Sequence, residues 1–103
     1  MGPKTMMTEI VTFKLKSQTA ENEFIANVTS LIDGFIAKQK GFMKVELGKD
    51  AANDEWVAIH YFDTITDNDV GIRNTRSSEI WKQDTANIDP ATITRRQYNI
   101  VIP

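Results

Sequence analysis

Seven consecutive residues, Trp56–Phe62, constrain the fold most strongly, because apolar or aromatic side chains occupy both their odd and their even positions. A β-strand with this pattern must be covered on both faces, so we expect it to be a central strand of a sheet. Two predicted helical regions can cover only one face. The other face, carrying Val57, Ile59 and Tyr61, is more apolar surface than a monomer usually exposes. We therefore expect a homodimer that packs sheet against sheet and buries at least about 800 Å² per partner.

Hydrophobic periodicity along the rest of the chain predicts the element order β-α-β-β-α-β. The predicted elements are a strand at 7–15, an amphipathic helix opened by Thr19 and stopped at Gly41, strands at 42–48 and 56–62, a second helix in two pieces, and a strand at 93–102 that follows a stop at Asp89-Pro90. This order is typical of a ferredoxin-like α+β fold, an antiparallel sheet with its helices on one face. We expect residues 1–6 to form a disordered leader and residues 7–103 to form one domain.

The composition excludes several classes of site. The 103 residues contain no cysteine and one histidine, His60, with a formal net charge of -2. These counts exclude thiolate catalysis, cysteine-based zinc sites and any site that needs two imidazoles. The charge and a sequence pI of about 5.3 do not favour binding to nucleic acid. Because no phosphate-binding loop or dinucleotide fingerprint is present, we expect no nucleotide cofactor, and we also expect no metal or other cofactor.

No apolar run reaches the about 18 residues that a membrane-spanning helix requires. The first six residues lack the apolar stretch of a secretion signal. We therefore expect a cytoplasmic protein without membrane association.

Four segments resemble the antibiotic biosynthesis monooxygenase (ABM) family: Gly41-Phe42 after the first helix, Asp54–Val57, Tyr61–Thr64 and Arg76–Lys82. The resemblance covers about residues 7–102. It implies a dimeric α+β barrel. It also implies a function among those of the family, which includes cofactor-independent quinone-forming monooxygenases and haem-degrading enzymes.

Several positions depart from the functional residues that the resemblance implies. Phe62 stands where family enzymes often have tryptophan, and Ala58 stands where the quinone-forming branch has asparagine. The haem-degrading branch has an asparagine and a histidine where this chain has Val11 and a residue near Asp84 or Thr85. These departures disfavour haem degradation and favour, as one alternative, a non-enzymatic role.

His60 is the candidate catalytic residue, because an ordinary imidazole pKa suits a general base at neutral pH. Its strand neighbours Trp56, Ala58 and Phe62 share its face, which the resemblance directs toward the helices, and the small Ala58 leaves room for a planar ligand. The predicted ligand-binding residues are Trp56, Ala58, Phe62, Val11, Phe13, Trp81 and Arg73. The alternative interpretation of His60 is a buried core histidine, and that of Trp81 is core packing.

Four arginines, Arg73, Arg76, Arg95 and Arg96, offer guanidinium groups that bind anions. Since consecutive strand residues point to opposite faces, at most one of Arg95 and Arg96 can serve a given pocket. Solvated arginines or ion pairs are the alternative.

The resemblance, taken together with the residues above, implies two function hypotheses. The chain is either a dimeric, cofactor-independent monooxygenase acting on a hydrophobic or aromatic small molecule, or a non-enzymatic dimeric ligand-binding or regulatory module.

Overall fold

A computed structural model describes residues 5–103 of the chain. The elements run, in chain order, β1 (Met7–Leu15), α1 (Glu21–Gly34), β2 (Phe42–Asp50), β3 (Glu55–Phe62), α2 (Ile65–Arg76), α3 (Glu79–Thr85) and β4 (Ile88–Asn99). A single 3-10 turn at Ile36–Lys38 follows α1. The predicted element order is therefore confirmed, including the division of the second helix into two pieces.

The four strands form one sheet in the order β2-β3-β1-β4, and every neighbouring pair is antiparallel. The strand predicted to be central, β3, lies between β2 and β1. All three helices pack on the same face of the sheet, as the apolar residues they share with that face show. This is the ferredoxin-like α+β arrangement that the sequence predicts.

The core lies between the sheet and the helices in two clusters. Met7 and Phe62 pack against Leu31 of α1 at one end. Phe13 and Trp56 pack against Phe24 at the other end, with the Phe24 and Trp56 rings in edge-to-face contact at 5.4 Å between centroids. These two clusters hold α1 at both ends, and the space between them is where the cavity described below opens.

None of the helices within residues 5–103 lies over the opposite face of the sheet. Ile10 of β1 pairs with Ile59 of β3 on this face, and Thr8 lies between Tyr61 and Tyr98. Tyr98 is 46% exposed. We refer to this surface, centred on these five residues, as the open sheet face.

The first helix begins and ends differently from the prediction. Its N-cap residue is Ala20, because the Thr19 hydroxyl donates a hydrogen bond to the Lys16 carbonyl and does not cap the helix. The helix ends at Gly34, well before the predicted stop at Gly41. Gly41 has φ +80 and enters β2, and a side chain there would collide with Asp67.

The last strand runs from Ile88 to Asn99, so it begins and ends earlier than the predicted 93–102. Pro90, predicted to lie in a stop before this strand, lies inside β4. An edge strand tolerates proline because one row of its N–H groups has no partner. The register also shifts opposite this segment, between Thr12 and Lys14 of β1. In β2, a register shift between Phe42 and Lys44 leaves Met43 39% exposed and out of phase with Val45.

Residues 1–4, most of the predicted leader, lie outside the described residues. Of the remaining two, Met6 accepts a backbone hydrogen bond from Ile100 at 2.9 Å through its carbonyl oxygen. Within residues 5–103, no helix combines the length and the apolar character needed to cross a membrane.

Candidate functional site

A cavity of about 270 Å³ opens between the helices and the middle of the sheet. This volume lies just below the range of about 300–1,000 Å³ found for small-molecule pockets. Val11 and Ala58 form part of its sheet side, while Val28 of α1 and Ile72 of α2 form part of its helix side. The lining is thus mainly aliphatic and suits a compact apolar ligand.

Ala58 explains why there is space at this point of the sheet. Across the strands, it pairs with Val11 on one side and Leu47 on the other, and all three side chains line the cavity. A larger residue at position 58 would fill part of the cavity between the two core clusters. The sequence predicts space for a ligand beside Ala58 because this side chain is small, and the cavity lies next to it.

Glu9 lies on the sheet side of the same cavity and is only 1% exposed. It sits between strand partners His60 of β3 and Gln97 of β4. Arg95 Nη2 donates a hydrogen bond to Glu9 Oε1 at 2.8 Å, and Gln97 Nε2 donates a longer one at 3.3 Å. Both hydrogen bonds to the carboxylate therefore come from β4.

His60 Nδ1 lies 3.4 Å from Glu9 Oε2, without the geometry of a hydrogen bond. The contact is therefore electrostatic. Burial alone would raise the pKa of Glu9, but the contacts with His60 and Arg95 outweigh burial and lower that pKa to about 2. Glu9 is thus an anion at neutral pH, and its carboxylate lies beside His60 Nδ1.

Asp84 of α3 lines the cavity from the helix side and is 5% exposed. Among the described residues, nothing hydrogen-bonds its Oδ1 atom. Burial raises the pKa of Asp84 to about 7, because desolvation disfavours the carboxylate. Two carboxyl groups with opposite shifts, Glu9 with a lowered pKa and Asp84 with a raised pKa, therefore face one apolar space. Residues 5–103 bring no three histidine, aspartate or glutamate side chains together in a group able to hold a metal.

A second, polar cavity of about 290 Å³ lies beside the first and shares Ile72, Arg76 and Arg95 with it. Arg73 and Asp69 complete its lining. We call this space the polar mouth.

The predicted site residues are distributed over three locations. His60, Val11, Phe13, Ala58 and Trp81 line the apolar cavity. Trp56 and Phe62 are packed in the two core clusters and do not line it. Arg73 lies in the polar mouth. Of the arginine pair on β4, Arg95 faces the cavity and Arg96 pairs with Ile10 on the open sheet face.

Sequence reasoning did not place Glu9 or Asp84 in the site. The signal for Glu9 was present, since it is a charged residue at an inward position of β1 between Met7 and Val11. Asp84 follows Ile80 and Trp81 at helical spacing, which directs it to the same buried face of α3. A charged residue in phase with an apolar stripe is therefore the pattern that identifies both.

The fold is shared with proteins of known structure. A conserved protein from Methanosarcina mazei superposes with a TM-score of 0.74 at 17% identity, covering 92% of each chain. A protein from Nitrosomonas europaea, provisionally assigned as an antibiotic biosynthesis monooxygenase, gives 0.73 at 14% identity, covering 100% of this chain and 97% of its own. SnoaB, a cofactor-independent oxygenase from Streptomyces nogalater, gives 0.60 at 17% identity, covering 96% and 94%.

No protein-family profile matches the chain, and no curated protein matches its sequence. At these identities, the structural likeness concerns the fold, while reaction chemistry depends on the site itself. The resemblance to the antibiotic biosynthesis monooxygenase family that the sequence indicates is thus confirmed at the level of the fold. The chain has the fold of the antibiotic biosynthesis monooxygenase-like proteins.

Proposed function

We propose that this protein binds a small, largely apolar aromatic molecule in the cavity and oxygenates it without a cofactor, using His60 as the general base. The observation that carries this proposal is the pairing of His60 with Glu9 on the floor of an apolar cavity. A carboxylate beside one ring nitrogen orients an imidazole and favours the form that has accepted a proton. Nδ1 faces Glu9, so Nε2 is the nitrogen assigned to the ligand.

In this mechanism, His60 removes the hydroxyl proton of an electron-rich phenol. The phenolate transfers electrons to molecular oxygen, and one oxygen atom becomes bonded to a ring carbon. Loss of the hydrogen on that carbon and cleavage of the O–O bond then give a quinone and water. For a naphthol the balance is one naphthol and one O₂ giving one naphthoquinone and one water, so O₂ itself is the oxidant.

Asp84 complements this role from the opposite side of the cavity. Its protonated form can donate a hydrogen bond to a ligand oxygen that gains negative charge. Tyr61 cannot serve the same purpose, because it lies on the open sheet face.

Oxygen uptake with 1-naphthol as the substrate and metal-free protein tests the proposal. We expect turnover that His60→Gln lowers at least about tenfold, since positioned general bases contribute about 100-fold or more. Tyr61→Phe, on the opposite face of the sheet, is the control and should retain the rate. Equal rates for wild type and His60→Gln would remove His60 as the base.

The second candidate function is ligand binding without turnover. The observation that favours it is the mainly aliphatic lining, in which Ala58 and Val11 occupy the sheet side next to His60. Calorimetry and oxygen uptake on the same sample separate the two functions. Binding of naphthols without oxygen consumption by wild type supports a binding module and contradicts the enzyme.

We also propose that the protein is a homodimer through the open sheet face. Ile10, Ile59 and Tyr61 form an apolar surface there that none of the described helices covers. Sedimentation velocity at micromolar concentration should give the mass of two chains. A monomer under these conditions would contradict the proposal.

A further inference from the structure

We propose that the ligand is an amphipathic anion, whose aromatic body occupies the apolar cavity and whose carboxylate is held in the polar mouth by Arg76 and Arg95. This inference rests on the proposed function, because it assigns a chemical class to the ligand of the same cavity. It starts from the fact that the two spaces are adjacent and share both arginines.

The charge of the polar mouth supports an anionic ligand group. Arg73, Arg76 and Arg95 line it, and the one carboxylate among its lining residues is Asp69. Within residues 5–103, no ion pair involves Arg73 or Arg76. The mouth is therefore locally positive on a chain whose formal net charge is -2. A carboxylate offers these guanidinium groups the planar partner that they bind best.

The existing hydrogen bonds leave donors available. Arg95 uses Nη2 for Glu9 at 2.8 Å, and a guanidinium has five N–H donors in total. Asp69 accepts a hydrogen bond from Gln97 Nε2 at 2.6 Å, which holds this acid against β4. Glu9 thus fixes Arg95 in place, and Arg76, which is free of ion pairs among the described residues, completes the anion site.

Glu9, on the sheet side of the apolar cavity, fixes the orientation of the ligand. A carboxylate placed beside Glu9 would face an ionised, buried group. The carboxylate of the ligand therefore points toward the mouth. The aromatic body lies against Ala58, Val11 and Trp81, where the lining is apolar or aromatic.

Arg73 and Arg76 also lie in the last turn of α2, where positive side chains favour the helix dipole. This purely structural role predicts no preference for anions over neutral molecules of the same shape. The comparison of 2-naphthoate with 2-naphthamide separates the two roles, because the two compounds differ little except in charge.

Isothermal titration calorimetry of the full chain with these two probes is the test. We expect 2-naphthoate to bind at least about tenfold more tightly than 2-naphthamide, as charge-assisted hydrogen bonds allow. Arg76→Gln should reduce this preference to less than about threefold. Arg73→Gln measures the same preference after loss of another arginine of the polar mouth. Lys38→Gln, which removes one positive charge outside both cavities, should leave the preference intact. Circular dichroism checks that each variant is folded.

Ala58→Leu locates the aromatic body. It should abolish binding of both probes if the body occupies the apolar cavity. Unchanged affinity for 2-naphthoate in Ala58→Leu, or a preference that survives both arginine substitutions, would overturn the proposal. Equal binding of the two probes to wild type overturns the anion site and leaves the proposed aromatic-binding cavity standing. No binding of either probe overturns the anionic aromatic ligand, while oxygen uptake with 1-naphthol independently decides the proposed function.

Discussion

The variant Asp84→Asn should be more stable than the wild type at high pH. This advantage should disappear progressively as the pH falls. The cause is the pKa of Asp84, which burial raises from 3.8 to about 7. Between these values the folded chain holds a proton that the unfolded chain has released, so the stability of the wild type falls as the pH rises. The difference of about three pH units corresponds to about 4 kcal/mol of unfolding free energy. The wild type loses this stability as the pH rises, and the loss is complete above pH 7.

Asparagine keeps the shape of the protonated acid and has no proton to lose. Urea unfolding at pH 5 and pH 8, at one protein concentration so that any dimerisation contributes equally, measures the effect. The stability of Asp84→Asn relative to wild type should rise by about 3 kcal/mol between these two conditions. Asp33→Asn, the same substitution at an exposed aspartate on α1, is the matched control. Parallel stability curves for wild type and Asp84→Asn would refute the assignment of a buried, protonated acid.

Three other predictions concern the sheet. Glu9→Gln should lose about 3 kcal/mol of stability near pH 7, because the pKa of Glu9 is lowered from 4.5 to about 2. The loss should shrink as the pH falls from 4.5 toward 2, and equal losses by urea unfolding at pH 7 and pH 3 would contradict it. Ile59→Glu on the open sheet face should convert the proposed dimer to a monomer in sedimentation velocity, whereas Ile25→Glu, at an exposed position of α1, should leave the mass unchanged. Ala58→Leu should fill the cavity and change the thermal midpoint by only a few degrees, and a collapse of the fold would show that the space is not open.

The fold could be predicted from the sequence because its hydrophobic periods are clear. The doubly apolar run Trp56–Phe62 specified the central strand, and Ser78 caps α3 by accepting a hydrogen bond from the Trp81 N–H. Element ends were harder to predict. Thr19 has the right chemistry for an N-cap, but its hydroxyl is used by the preceding turn. Pro90 stops a helix or a central strand, yet it is compatible with the edge position that only the tertiary structure assigns to β4.

The site was only partly accessible from the sequence, because a cavity depends on distances between layers. Parity placed His60 and Ala58 on one face, but it could not tell that Trp56 and Phe62 on that same face pack into the core at either end. The arginines show the same limit. Alternation predicted that Arg95 and Arg96 diverge, and only the pairing of β4 with β1 showed which of them meets Glu9.

The position of Glu9 also has a consequence for how the chain selects one strand alignment. Its partners come from the strands on both sides, His60 from β3 and Arg95 from β4. A slip of either pairing by one residue would turn that strand's side chains to the other face and leave the buried carboxylate without its neighbours. An unpaired buried charge costs several kcal/mol, a far larger penalty than exchanging one aliphatic contact for another. The acid that contacts the candidate base therefore also favours a single register for three of the four strands.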